Sequence, residues 1–317
     1  MPSEGHSVSG VVAVLTYRRQ AELRELLGLL QHELGVFQRG GRWIAIEQVL
    51  VIDNDPGCSG RAVAAEFSSI RYVSEPTPGI AAARNRALDE ASTEDLLIFI
   101  DDDERPGHHW LDHHLDAWTR FGAVAVAGAV VSKFEGSLDP WIAAGGFFDR
   151  RRPITGTVLS VAATNNLLLD LREVRRLDVR FDQRFGLTGG EDTLFTRTLV
   201  AAGALLIFCN EAVVFDHVPA ARMTRRWVLS RYFSSGNSWA LTGMEVQATG
   251  GSRAAEFCRL AAGGSARVVA GGLRCLLGTA IGSRRLSATG LRTLARGLGL
   301  LMGASGFRYR EYRRTPE

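Results

Sequence analysis

Four adjacent acids, Asp101-Asp102-Asp103-Glu104, follow the apolar run at residues 97–100. Like charges this close repel one another and cost stability unless a cation or basic side chains neutralise them. An all-oxygen donor set suits hard divalent ions such as Mg²⁺ and Mn²⁺, which also bind phosphate oxygens. A second acidic pair, Glu191-Asp192, follows Gly189-Gly190 and opens a helical pattern. The positive end of a helix dipole keeps a carboxylate ionised there, and acids in a first turn also serve as simple caps. Asn165 and Asn166 sit in an apolar strand, where two amides either bind the hydroxyls of a ligand or satisfy backbone groups. With Trp141 they are candidates for contacting a hydroxyl-bearing ligand. A competing metal site is offered by His108, His109, His113 and His114, since His109 and His113 share a helix face. No H-E-x-x-H pattern accompanies them, and a solvated helix face is the expectation.

The elements that must hold these groups are legible from hydrophobic spacing. Short apolar runs at residues 11–15, 48–52, 70–73 and 96–100 read as buried strands. Residues 20–34 and 78–91 read as helices between them. Strands alternating with helices predict a parallel sheet covered on both faces. Ligands then lie beyond the carboxyl ends of the strands, where Thr16, Asp53 and Asp101 stand on one rim. An Asp at such a rim accepts from a base N–H. Within Asp53-Asn54-Asp55-Pro56-Gly57 it also reads as a turn former. Further strands are expected at 123–132, 161–169, 204–208 and 212–215, and helices at 191–202 and 223–241. The stretch 134–157, rich in Gly and aromatics, reads as a mobile loop.

The motifs Gly79-Ile-Ala-Ala-Ala-Arg84-Asn85, Asp101-Asp-Asp103-Glu-Arg-Pro106, Gly189-Gly190-Glu191-Asp192 and His217-Val-Pro219 occur in this order. In order and spacing they resemble the family 2 glycosyltransferases, over roughly residues 10–240. That resemblance implies a GT-A fold: an α/β, Rossmann-like, mostly parallel mixed sheet flanked by helices. It implies a catalytic domain at 1–240, with a nucleotide-binding half at about 10–103 and an acceptor half at 104–240. By the same resemblance Asp101 and Asp103 form a D-x-D motif that holds Mn²⁺ or Mg²⁺, and Asp101 and Asp102 lie against the donor. Thr16 and Asp53 fall at nucleoside-binding positions, and Arg84 close to the donor. Asp192, with Glu191 beside it, becomes the base that deprotonates the acceptor hydroxyl in an inverting transfer, and His217 completes the metal site. The processive synthases of this group carry Q/R-x-x-R-W; here Met223-Thr-Arg-Arg226-Trp227 begins with Met, which favours transfer of a single sugar.

The expected reaction is transfer of one sugar from a UDP- or dTDP-sugar to an acceptor hydroxyl, on a lipid-linked glycan or a natural product. The alternatives are a sugar-phosphate nucleotidyltransferase, weakened by the absence of glycine from Leu15-Thr-Tyr-Arg-Arg19, and a non-catalytic scaffold of a polysaccharide assembly. Cys58, Cys209, Cys258 and Cys275 fit no zinc or disulfide spacing, so a reduced compartment is expected. Residues 1–10 carry no signal-peptide pattern, and no uncharged apolar run reaches the ~18 residues of a spanning helix. A cytoplasmic protein, peripheral on the inner face of the membrane, follows. Net charge is +3, yet residues 253–314 hold twelve Arg and two Glu, which leaves about −6 on residues 1–252 once Glu317 is counted. The step near Gly250–Gly251 marks a basic amphipathic helical extension over 241–317, suited to an anionic membrane surface. Aromatics for base stacking are sparse there, which speaks against nucleic acid.

Overall fold

The structure, a computed structural model, describes residues 8–39, 43–246 and 250–310. The N-terminal residues on which the reading of a missing signal rests, and the arginines beyond Arg310, lie outside the described residues. In chain order the elements are β1 (Val8–Thr16), α1 (Gln20–Arg39), β2 (Ile44–Asp53), α2 (Arg61–Ala64), β3 (Ile70–Ser74) and α3 (Ile80–Glu90). Then come β4 (Leu96–Asp101), β5 (Glu104–Pro106), α4 (Trp110–Phe121), β6 (Ala125–Phe134), α5 (Pro140–Gly145) and β7 (Asn166–Asp170). The chain closes with α6 (Leu171–Arg176), α7 (Glu191–Ala201), β8 (Leu206–Val218), α8 (Arg225–Val246), α9 (Gly250–Ala280) and α10 (Arg284–Ala304).

Eight strands form one sheet in the order β3-β2-β1-β4-β7-β6-β8-β5. β1 pairs in parallel with β2 and β4, and β2 with β3; β7 runs antiparallel to both β4 and β6. The sheet is therefore mixed, as expected, with its parallel pairings among β1, β2, β3 and β4 and antiparallel ones beyond them. The chain packs into two compact units. The first comprises the described residues up to Val131 with Arg152–Gly186 and Phe195–Asp216; the second comprises Ser132–Arg151, Leu187–Leu194 and the described residues from His217 on. Residue 240 lies inside α8, so a boundary there would cut a helix.

In the first unit β1 alternates Val12 and Val14 toward one core with Val11, Ala13 and Leu15 toward the other. Strands buried on both faces read as continuous apolar runs, which is why the sequence announces them. Leu23, Leu26, Leu27, Leu30 and Leu34 of α1 repeat at helical spacing and seal one face. Ala81, Ala83 and Ala87 of α3 seal the other. Gly79, at φ +122°, opens α3 against the backbone of Gly186, where an added Cβ would stand 3.2 Å from the Gly186 Cα. Only glycine supplies both that dihedral and that clearance.

Three expectations need correction. The strands at 204–208 and 212–215 are one strand, β8, because the polar Asn210 and Glu211 that suggest a break lie on an accessible stretch of a continuing ladder. β7 begins only at Asn166. Residues before it are tied to α7 instead, where the Thr196 hydroxyl both accepts from the Ala162 N–H and donates to its carbonyl, each at 3.1 Å. The stretch 134–157 is not a free loop. Asp139 caps α5 by accepting from the Trp141 N–H at 2.7 Å, with Pro140 pre-set in the first turn.

That segment builds the core of the second unit. Trp141 stacks on Phe147 at 5.2 Å, and Phe148 lies nearly parallel to Trp227 at 6.2 Å. α10 packs against α5, α8 and α9. Its contact with α9 is backbone to backbone: a Cβ on Gly271 would fall 2.7 Å from the Gly290 carbonyl, and one on Gly297 2.8 Å from the Gly264 carbonyl. The expected C-terminal helical extension is thus a glycine-seamed helix pair.

Candidate active site

The parallel register aligns the rim of the sheet. Thr16 stands opposite Asp53 across β1 and β2, and Leu15 opposite Asp101 across β1 and β4. The acidic turn then links β4 to β5, and Glu104 pairs with Asp216 of β8. Burial decides the electrostatics here. It pushes the Asp101 carboxyl up to about 7, opposed by the Arg84 guanidinium and reinforced by Asp103 and Asp102. It likewise pushes Asp102 up to about 6, opposed by Arg19. Glu104, buried and surrounded by Asp101, Asp103 and Asp216, is held well above the usual carboxylate range.

The turn survives because other residues clamp it. Arg19 donates to Asp102 at 2.8 Å and to Asp103 at 2.9 Å. The Thr16 hydroxyl donates to Asp102 at 2.9 Å. Arg105 lies beneath, donating to the Asp102 and Glu104 carbonyls and to Glu25 at 2.6 Å. The Asn165 amide donates to Glu104 at 2.5 Å. Arg19 and Arg105 carry no role in the sequence reading. The signal for Arg19 was its place three residues beyond Thr16, one turn past the same rim.

These contacts sort the candidates. Asp102 is buried, with one oxygen held by the Thr16 hydroxyl and the other by Arg19. Asp53 is fully buried; one oxygen accepts from the Asp55 N–H and the other from the Gly60 N–H and the Tyr72 hydroxyl. Its carboxylate thus shapes the turn after β2. Arg84 is buried under Asp101's field, its guanidinium 5.7 Å from the centre of the Phe181 ring. Asn166 is removed from the acceptor candidates. Its amide donates to the Ala129 and Ala212 carbonyls, and its oxygen meets the Trp110 indole and the His114 ring, so every capacity is filled inside the core.

His114 is buried, and burial lowers its pKa to about 4. His109 is engaged with Asp112 at 2.9 Å. The histidine cluster is accordingly divided between core and helix surface. In the second unit, Glu191 and Asp192 occupy the first turn of α7, Glu191 buried and Asp192 partly exposed. His217 is exposed near the end of β8. Trp141 is buried, with its indole N–H on the Ser287 hydroxyl at 2.9 Å.

The donor set fits a divalent ion that meets its ligand count elsewhere. Among the described residues no three Asp, Glu, His or Cys side chains converge on one point. Mg²⁺-type ions at phosphate sites take one or two carboxylates and complete their shell with phosphate oxygens and water. Asp101 and Asp103 match that pattern. The raised pKa values come first from burial and then from the neighbouring carboxylates, and Arg19 and Arg84 do not cancel them.

The sign of the pH dependence follows. A carboxyl whose pKa is higher in the folded than in the unfolded chain stabilises the fold at low pH, and that stability is lost as pH rises through the folded value. Without metal, the protein should be less stable at pH 8 than at pH 5. Asp101→Asn should recover about 1–2 kcal/mol at pH 8, read by urea unfolding in EDTA. A variant less stable than the parent at pH 8 would contradict the repulsion described here.

Comparison with known proteins accords with this geometry. The sequence profile described as glycosyl transferase family 2 matches residues 11–170. The chain is 34% identical over 243 residues to succinoglycan biosynthesis protein ExoM of Rhizobium meliloti (strain 1021), covering 75% of each chain. Among solved structures it is similar to the mannosyltransferase PcManGT from Pyrobaculum calidifontis in complex with GDP-Man and Mn²⁺. There the TM-score is 0.56 at 15% identity, over 90% of this chain and 85% of that one. It is also similar to GalNAc-T7 with UDP, GalNAc and Mn²⁺, with a TM-score of 0.51 at 10% identity. That match covers 75% of this chain and 51% of the other, so the chain spans about half the length of that protein. At these identities the structural likeness bears on the fold, which is GT-A. On the family match and the 34% identical relative together, the chain belongs to glycosyl transferase family 2, which makes it a glycosyltransferase.

Proposed function

We propose that the protein is an inverting, metal-dependent glycosyltransferase that moves a single sugar from a nucleoside diphosphate, UDP or dTDP, to the hydroxyl of a lipid-linked glycan. The observation that carries this reading is the clamped acidic turn at the end of β4, with Arg84 beside Asp101. Asp101 and Asp103 would hold Mn²⁺ or Mg²⁺, which supplies positive charge against the departing diphosphate. Arg84 adds a fixed guanidinium on the same side, and Arg19 orients Asp103. Thr16 and Asp53 shape the rim on which the nucleoside rests. Asp192, in the first turn of α7, takes the proton of the acceptor hydroxyl. Glu191 and His217 keep the supporting roles that the motif resemblance gives them. Membership of a glycosyltransferase family displaces the nucleotidyltransferase and scaffold alternatives.

The acceptor reading draws support from α9. Gly251–Ala280 is long and apolar enough to cross a bilayer, with a mean hydropathy of 1.2 over 18 residues, and only 17% of that stretch is buried. Val269, Leu273, Leu276, Leu277 and Ile281 are all more than half exposed. At 100° per residue they fall on one face, with Arg267 and Arg274 on its flank. An arginine at mid-bilayer costs about 2.5–3.5 kcal/mol, so the helix is suited to lie in the interface with its arginines at the headgroups. The relative's part in succinoglycan biosynthesis accords with a glycan acceptor met at a membrane.

In calorimetry with UDP and Mn²⁺, Asp103→Ala should abolish metal-dependent nucleotide binding; undiminished binding would move the metal elsewhere. Asp192→Asn should bind nucleotide normally yet transfer sugar about 10²–10⁴-fold more slowly, and near-normal turnover would remove Asp192 from the mechanism. For the membrane, full-length protein should co-sediment with vesicles containing phosphatidylglycerol at low salt. The double substitution Leu273→Asp, Leu277→Asp should lose that binding. Dimerisation lost in the same variant, without any vesicle binding, would assign the face to a second copy of the chain.

A further inference from the structure

The second unit contains a pocket of about 380 Å³ at the turn between α9 and α10. Its floor is Trp141, its walls include Leu229 and Leu291, and Arg225 and Arg284 stand on its rim. The Arg225 guanidinium lies 5.1 Å from the centre of the Trp141 ring and pairs with Asp139 at 2.9 Å. Trp141 is fixed from the other side by its hydrogen bond to Ser287. The floor is thus rigid, apolar on its face and cationic at one edge.

Arg284 is the informative residue. It is exposed and has no acidic partner among the described residues. It opens α10, where the helix dipole disfavours a cation, and the first turn holds no acid to compensate. Arg285 shares that exposed first turn, and what sets Arg284 apart is that it alone of the two lines the pocket. The apolar side is equally suggestive. Cys275, Gly278 and Thr279 line the pocket from α9, and Leu276, Leu277 and Ile281 next to them are 70%, 55% and 62% exposed. A guanidinium rim that continues into an exposed aliphatic stripe has the polarity pattern of an amphiphile: phosphate at one end, hydrocarbon at the other.

We propose that this pocket binds the phosphate headgroup of a membrane lipid, between Arg225 and Arg284 over Trp141, with the lipid's hydrocarbon laid along the outer face of α9. The inference rests on the membrane-surface reading above and adds to it a discrete, saturable site. Arg284 suits this ligand because the paired N–H groups of a guanidinium match phosphate oxygens, while Arg225, whose Nε and Nη2 are held by Asp139, offers its Nη1 from the opposite rim. The site favours a terminal phosphate, which accepts from both arginines, over a zwitterionic headgroup whose ammonium the arginines repel.

The test is calorimetry on the full-length protein in EDTA, with monomeric dihexanoyl phosphatidic acid as the probe. Saturable binding at one site per chain is expected, with none to dihexanoyl phosphatidylcholine and at least tenfold weaker binding to inorganic phosphate. Arg284→Gln should weaken the lipid about tenfold, as the loss of one charge-assisted hydrogen bond would. Arg285→Gln removes the same charge one residue away, outside the pocket, and should change it less than twofold. Arg225→Gln provides a second variant on the opposite rim with the same expected loss. Equal losses in Arg284→Gln and Arg285→Gln would reduce the effect to surface charge and overturn the proposal. So would inorganic phosphate binding as tightly as the lipid, or no saturable binding at all. The assay contains neither metal nor nucleotide, so failure of UDP–Mn²⁺ binding would sink the transferase reading alone. Failure of the lipid titration with vesicle binding intact would sink the pocket alone.

Discussion

The first unit is organised around the mutual repulsion of Asp101, Asp102, Asp103 and Glu104. Two unit charges 4 Å apart interact by about 4 kcal/mol at the effective dielectric of a protein surface, and this turn carries four carboxyl groups partly or wholly out of water. The surrounding sequence reads as a set of countermeasures. Arg19 reaches over from the start of α1 to bridge two of the acids. Arg105 holds the carbonyls of the turn from below, and Arg84 stands against Asp101. The compensation is incomplete, since Asp101, Asp102 and Glu104 all keep raised pKa values. Four carboxyl groups held together at a sheet rim are costly as architecture, and that cost is the physical basis of the metal site proposed above.

How much of this was legible follows from which interactions are local in sequence. The central strands are buried on both faces, so apolar runs of 4–5 residues marked β1, β2 and β4 within a few residues of their ends. Thr16, Asp53 and Asp101 could then be placed on one rim from topology alone. What could not be read were the partners. Asp102 meets Thr16 and Arg19 across more than 80 residues of chain, and no periodicity reports a contact of that kind.

Asn166 illustrates the opposite error. A pair of amides in an apolar strand invites a sugar, yet buried amides are far more often structural. This one joins α4, β6 and β8 by filling all its hydrogen-bonding capacity, and Gly128 is bare of a side chain where the amide passes: a Cβ there would stand 2.1 Å from the Asn166 Nδ2. Neighbouring Asn165 points elsewhere and braces Glu104. Two adjacent residues of one type thus serve a core and a site, and the pleat of the strand separates them. The aromatic stretch 134–157 failed for a related reason. Its glycines suggested mobility, while its rings, which cost little entropy to fix, found partners on α8 and α10 only in three dimensions.

The C-terminal helices obey a different logic from the sheet. In a water-soluble helix pair, large apolar side chains fill the seam and polar ones face out. Here the seam between α9 and α10 is built on glycine: Gly264, Gly271 and Gly278 recur every seven residues against Gly290, Gly297 and the backbone at Ser287. The α9 side of the seam is glycine, against which Leu301 of α10 packs, while Leu273, Leu276 and Leu277 of α9 lie on the outside. Small residues inside and large apolar residues outside is the arrangement of helices whose surroundings are hydrocarbon, since association there depends on close contact and not on burying leucine from water. An exposed apolar face of this length is unusual on a protein surrounded only by water. The glycine spacing and the leucine exposure are therefore one constraint seen from two sides, and the seam that holds α9 to α10 is what leaves the outer face of α9 apolar and exposed.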